Sequence, residues 1–182
     1  MMLDDIASAW KGHRDFACWL TRHMQPHVTV DLGVDYGYSS FALAQHNPGH
    51  VYGLDTFQGD PHAGFRDTYA QAEAYREQLN LHNITWIPGL FADTARSWEL
   101  PIDILHIDGL HTPQAVTEDY AIWSPFVRDS GVILFHDTVA FPEVGHVVRS
   151  LLGYVGEFTH SAGLGIVCTD PELAQHIRAQ LP

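Results

Sequence analysis

Four aspartates, each closing or nearly closing a short apolar run, are the residues of this chain best placed to do chemistry: Asp31, Asp55, Asp108 and Asp137. Two histidines accompany them, His111 three residues after Asp108 and His136 directly before Asp137. A carboxylate accepts hydrogen bonds from ammonium and hydroxyl groups and binds hard cations, while an imidazole exchanges protons near neutral pH. A single Asp at a strand end is ordinarily a cap for the turn or helix that follows. Four on one rim would concentrate negative charge that a cation or a ligand must neutralise. Asp108 and Asp137 suit a hard ion such as Mg²⁺, and an imidazole from His136 would also admit Mn²⁺, Fe²⁺ or Zn²⁺. His111, in a loop just after Asp108, is placed to act as general base toward a substrate hydroxyl; its plain alternative is a capping or loop residue. His106 alternates with the rim residues and is expected in the core.

The first aspartate opens a second pattern. Asp31-Leu32-Gly33-Val34-Asp35-Tyr36-Gly37-Tyr38-Ser39-Ser40 follows a β-branched run and precedes a helical one, which predicts strand, glycine turn, helix. Glycines there let backbone and ligand approach closely, and a helix N-terminus offers amide hydrogens to an anionic group. A dinucleotide fingerprint needs a third glycine that this turn lacks. A carboxylate that suits an ammonium, next to a helix N-terminus that suits a carboxylate, points to the methionine half of S-adenosylmethionine (SAM). Asp55 lies about twenty residues beyond the turn, where a carboxylate accepts from both hydroxyls of a ribose, whether of NAD or of SAM.

These residues need a scaffold that brings strand ends together, and the chain alternates accordingly. Strands are expected at 27–33, 50–55, 84–88, 102–108 and 131–137, and helices at 38–46, 66–80, 91–98, 112–127 and 143–153. Such alternation predicts an α/β, Rossmann-like, doubly wound sheet, mostly parallel. Residues 157–161 and 164–168 read as a hairpin that would place an antiparallel C-terminal strand in that sheet, before a last helix at 171–181. A helical segment, about 3–25 and broken near Gly12, would precede the first strand. Residues 56–66 form a glycine-punctuated loop that could fold over a ligand as a lid. With 182 residues and no linker or repeat, one domain spanning 1–182 is expected.

Lys+Arg total 9 against 22 Asp+Glu, a formal charge of −13, which argues against a nucleic-acid partner. No run approaches the ~20 apolar residues of a membrane span, and the acidic start does not read as a signal peptide, so a cytoplasmic protein is expected. Cys18 and Cys168 read as unpaired thiols of a reducing compartment.

Along essentially its whole length the chain resembles class I SAM-dependent methyltransferases. The turn from Asp31 to Ser39 is similar to that of catechol O-methyltransferases. Val51–Gly64, Leu105–His111 and Val132–Asp137, with Gly163-Leu164-Gly165, resemble a small-molecule O-methyltransferase branch related to cephalosporin-biosynthesis and macrolide or aminocoumarin sugar enzymes. The resemblance implies a seven-stranded sheet with the last strand antiparallel. It implies that Asp31, Gly33 and Ser39 hold the methionine moiety, Asp55 the ribose, and Phe57, Gly89 and Phe91 the adenine, with Gly37 and Thr56 also at the cofactor. Asp108, which borders the cofactor too, would with Asp137 and His136 match the divalent-metal ligands, and His111 the base. Asp137 is followed by Thr138 where catechol enzymes carry Asn, which argues for a sugar hydroxyl over a phenol. The family's longer N-terminal regions and insertions are lacking, so a homo-oligomer completing the acceptor pocket is kept open. The reading is a metal-assisted O-methyltransferase of a small-molecule acceptor. Its rivals are an NAD-type oxidoreductase, a metal-dependent phosphohydrolase and a non-catalytic SAM-binding module.

Overall fold

The computed structural model describes residues 1–61 and 64–182; His62, which falls in the expected lid loop and in the resemblance, lies outside the described residues. Two 3-10 turns, Leu3–Asp5 and Ala9–His13, lead into α1 (Arg14–Met24). The remaining elements in order are β1 (Val28–Leu32), α2 (Tyr38–Ala44), β2 (His50–Asp55), β3 (Gly59–Asp60), β4 (Gly64–Phe65), α3 (Tyr69–Gln78), β5 (Ile84–Pro88) and α4 (Phe91–Ala95). They continue with β6 (Ile102–Ile107), α5 (Pro113–Trp123), a 3-10 turn (Ser124–Phe126), β7 (Val127–His136), α6 (Pro142–Arg149), β8 (Tyr154–Phe158), β9 (Leu164–Val167) and α7 (Pro171–Arg178).

Seven strands form one sheet in the order β5-β2-β1-β6-β7-β9-β8, all pairs parallel except β7–β9 and β9–β8. The expected fold is therefore present, with the antiparallel β9 inserted beside β7. Strand residues alternate between two cores. Ile104 and Leu134 pack with α1, α2 and α7, and Leu105 and Phe135 pack with α5 and α6, so helices cover both faces. β3 and β4 pair as a separate two-residue ladder inside the expected loop 56–66.

Element ends follow local chemistry. Gln25, left-handed at φ 49°, closes α1 before Pro26, which cannot continue a helix. Thr112 and Asp170 cap α5 and α7 by accepting from Ala115 and Leu173, and each helix starts on a proline. The helix expected over 112–127 stops at Trp123 because Pro125 offers no amide hydrogen, and a 3-10 turn takes its place. The expected N-terminal helical segment, with its break near Gly12, consists of two 3-10 turns followed by α1, and Gly12 packs against Ser161 and His160 so closely that a Cβ would overlap them. No helix among the described residues is long and apolar enough to cross a membrane.

Candidate active site

In a parallel sheet the strand C-termini share one edge, and ligand clefts open where the strand order reverses. Here that point lies between β1 and β6, and a cleft of about 460 Å³ opens along the ends of β2, β1, β6 and β7. Gly33, Ser39, Asp55, Thr56, Gly89, Phe91, Asp108, His111, His136 and Asp137 all line it.

Asp31, Gly37 and Phe57 do not. Asp31 was expected to meet a ligand ammonium, but it sits one residue inside β1 and is fully buried. Its carboxylate accepts from His106 Nδ1 at 2.6 Å, from Ser39 Oγ at 2.8 Å and from Ser40 Oγ. His106 Nε2 in turn accepts from the Trp10 indole at 3.0 Å, which fixes the neutral Nδ1–H tautomer and makes His106 a core residue. Gly37 is the left-handed residue (φ 94°) that starts α2; its Cβ position is occupied by the Phe41 ring, not by ligand space. Phe57, also left-handed at φ 57°, turns its ring inward against Tyr69 and Trp86 instead of bracketing an adenine.

Gly33 is required by the protein's own backbone. At φ 100° its Cβ would overlap the Asp108 carbonyl oxygen, where Asp108 N donates to Leu32 O at 2.8 Å. Asp55 holds the turn from the other side. Its Oδ2 accepts from the amides of Val34 and Asp35, and its Oδ1 accepts from that of Phe57, all at 2.8 Å. Oδ1 thus has one backbone partner and keeps acceptor capacity toward the cleft.

The far end of the cleft gathers Asp108, His111, His136 and Asp137. Ligand atoms of Asp108, His111 and Asp137 lie within 4.8 Å of one another. His111 Nε2 is 2.6 Å from Asp137 Oδ2 and 3.4 Å from Asp108 Oδ1, and its ring stacks on Phe141 at 4.5 Å. His136 Nδ1 is 3.3 Å from Asp108 Oδ2 and 3.5 Å from Asp137 Oδ2. His136 Nε2–H donates to the Ser161 carbonyl at 3.0 Å, so the neutral ring presents a bare Nδ1 to the two carboxylates. Two carboxylates and two imidazoles converging in this way fit a divalent cation. Thr138 is no part of the group; its hydroxyl faces the Gly163 turn.

Without an ion the cluster neutralises itself with protons. Burial opposes the charge on His111, but hydrogen bonds to Asp108 and Asp137 outweigh it and raise the imidazole to about 9. The same contest raises His136 to about 10, through the charge of and hydrogen bonds to Asp108 and Asp137. Burial pushes both carboxylates up, yet the imidazoles hold Asp108 and Asp137 below the usual carboxylate range. His111 is therefore an imidazolium at neutral pH, not the half-titrated base that its residue type implies.

The lining also contains groups that sequence reasoning missed. Ser8 and Trp10 come from the N-terminal 3-10 segment. Asp35, at φ 49°, pairs with Arg66 at 2.8 Å, and Arg66 lies over the Tyr36 ring at 5.3 Å. No local signal in the sequence marks Trp10, whose partner His106 is 96 residues away. Asp35 lies within the glycine-turn motif itself.

The comparisons with known proteins agree with this architecture. The SAH-bound methyltransferase PaMTH1 of Podospora anserina superposes with a TM-score of 0.68 at 12% identity, covering 91% of this chain and 80% of that one. An O-methyltransferase from Bacillus cereus, in complex with SAH, gives 0.65 at 16% identity, covering 86% and 80%. The uncharacterized protein y4gI of Sinorhizobium fredii is 30% identical over 94% of this chain, which spans 20% of that relative's length. The model of the methyltransferase domain family matches residues 30–138, from β1 to the residue after Asp137, and the chain belongs to that family.

Proposed function

We propose that this chain is a SAM-dependent O-methyltransferase that acts on a hydroxyl of a small molecule, a sugar or natural product, assisted by a divalent cation, Mg²⁺ by preference. The observation that carries this reading is the charge of the cleft. Asp35, Asp55, Asp60, Asp108 and Asp137 line it, no lysine or arginine is among its described lining residues, and the five carboxylates outnumber the two imidazoliums, His111 and His136, that share the lining. A dinucleotide would bring an anionic pyrophosphate against these carboxylates, whereas SAM brings a sulfonium cation that they favour. The same field selects neutral or cationic acceptors over phosphorylated or carboxylated ones. The SAH in the two solved relatives, and the O-methylation named for one of them, support the cofactor and the reaction class.

In this reading Asp55 accepts from the ribose hydroxyls through the free capacity of Oδ1. The backbone and side chains of Gly89, Leu90 and Phe91 wall the adenine. Asp108, Asp137 and His136 hold the cation, whose contribution is to lower the pKa of the acceptor hydroxyl and orient it. A SAM bound there would supply the methyl group to the acceptor oxygen and leave as the neutral thioether. The chain's part in that step is alignment, and a place for the hydroxyl proton. His111, between the two carboxylates, is the group that receives it once its own proton is gone.

Calorimetry with SAM, NAD⁺ and Mg²⁺, followed by methyl-labelled SAM against a panel of hydroxylated acceptors, tests the proposal. SAM binding with label transfer to an oxygen is expected. Binding of NAD⁺ in preference to SAM would overturn it, and SAM binding without transfer to any acceptor would reduce the chain to a binding module.

A further inference from the structure

The group that orients His136 is a backbone carbonyl, and that carbonyl is itself held from a second direction. The carbonyl oxygen of Ser161 accepts from His136 Nε2 and from His13 Nε2, each at 3.0 Å. His13 is fully buried, and its ring meets His136 edge-on at 5.6 Å and stacks on His160 at 5.0 Å. With the proton on Nε2, its Nδ1 is a buried acceptor without a partner, a cost the fold accepts in order to place this donor.

The turn that presents the carbonyl is unusual in its own right. Ser161, Ala162 and Gly163 are successively left-handed, at φ 51°, 68° and 95°. The next carbonyl along, Ala162 O, accepts from the amides of Val139 and Ala140, both at 2.9 Å. A Cβ at Gly163 would come within 2.6 Å of Thr138 Oγ1 and Val139 N. Two consecutive carbonyls of one turn therefore grip the segment that carries His136 and Asp137, one by the histidine ring and one by the backbone just beyond the aspartate. Asp137 is left-handed as well, at φ 61°, a conformation that persists only where its surroundings impose it.

We propose that His13 and the 161–163 turn form the outer shell of the cation site, His13 acting as a positioning residue that fixes the Ser161 carbonyl and thereby the ring orientation and tautomer of His136. This rests on the cation reading of Asp108, Asp137 and His136 given above. Hydrogen-bond partners of metal-binding histidines typically change metal affinity by about 10–100-fold when removed. His13 acts through one intervening carbonyl, so the lower end of that range applies.

The test titrates Mn²⁺ into the full chain, reads free Mn²⁺ by electron paramagnetic resonance, and measures SAM affinity by calorimetry. Leu and Gln have similar volumes, but only Gln can donate to the Ser161 carbonyl. His13→Leu is expected to weaken Mn²⁺ binding about tenfold, with His13→Gln within about threefold of wild type and SAM affinity constant in both. Gly163→Ala, which strains the same turn without touching His13, should weaken Mn²⁺ to a similar degree and decides the matter if His13→Leu does not fold. Wild type binding Mn²⁺ with His13→Leu or a folded Gly163→Ala equally tight would overturn the proposal and leave the cation site standing. A wild type that binds no Mn²⁺ would overturn both.

Discussion

If a cation occupies the cluster it must displace protons, and the structure sets how many and at what cost. With His136 raised to about 10, nearly every molecule carries the proton on Nδ1 at pH 7.5, the nitrogen facing Asp108 and Asp137. Removing it at that pH costs about 2.5 × 1.36, or roughly 3.4 kcal/mol, which is subtracted from the intrinsic affinity for the ion. Binding should therefore release about one proton, and affinity should rise about tenfold per pH unit between 7 and 9. Displacement of the His111 proton as well, from a group raised to about 9, would bring the release to about two protons and the slope to about a hundredfold per unit. Calorimetric titration of Mn²⁺ in two buffers of different ionisation enthalpy counts the protons directly. Stability gives a second reading of the same groups. An imidazole whose folded pKa lies above the unfolded value of 6.5 stabilises the fold fully below 6.5 and loses that contribution as pH rises through the folded pKa. The ion-free protein should accordingly lose thermal stability between about pH 7 and 10, and Mn²⁺ should restore it at pH 9. No proton release, together with an affinity flat from pH 7 to 9, would refute the assignment of His136 as a ligand.

Other consequences are more local. Asp55→Ala should weaken SAM binding by about 1–3 kcal/mol and also lower the melting temperature, because three backbone amides lose their acceptor. Unchanged SAM affinity in a folded variant would remove Asp55 from the ribose site. Trp10→Phe keeps an aromatic ring but leaves buried His106 Nε2 without a donor, and denaturant titration should show a loss of about 1–3 kcal/mol from the unpaired acceptor, besides the cost of the smaller ring. Burial, then Glu118, raise Asp119 to about 6, so its stabilising protonated form is lost as pH rises from about 4 through 6. Asp119→Asn should therefore raise the melting temperature at pH 7.5, with the gain vanishing below about pH 4; an equal gain at both pH values would mean that the charge is not its cause.

Much of this fold is legible in the sequence because its strands announce themselves by composition and end near acidic residues. The sheet strands 50–55 and 84–88 fall where the apolar runs place them. What is not legible depends on tertiary partners. The break near Gly12 is legible, but the 3-10 form of the segment before it is not, because it accompanies contact of Gly12 with the 160–161 turn. Phe57 sits beside the cleft in sequence and is turned from it by a left-handed backbone that no residue type at that position demands. The Ser161 carbonyl is beyond any reading of side chains, because its role belongs to the backbone of a turn.

The aspartates show most clearly where sequence reasoning gives out. In type and setting Asp31 and Asp55 look alike, each in an apolar strand and each before a glycine-containing loop. Asp55 is the last residue of β2 and reaches the cleft. Asp31 stands one residue earlier in its strand and pairs in register with His106 of β6. Because side chains on adjacent strands in register point to the same face, the pairing puts an imidazole beside the carboxylate within the core. A buried carboxylate without partners would cost several kcal/mol, and the His106, Ser39 and Ser40 donors remove that cost. The outcome is a network that ties the N-terminal segment, through Trp10, to the start of α2, both of which wall the cleft. Two residues along the paired strands separate an aspartate that reaches the cleft from one that holds the cleft walls together, and the imidazole that keeps Asp31 in the core comes from a strand about seventy residues away.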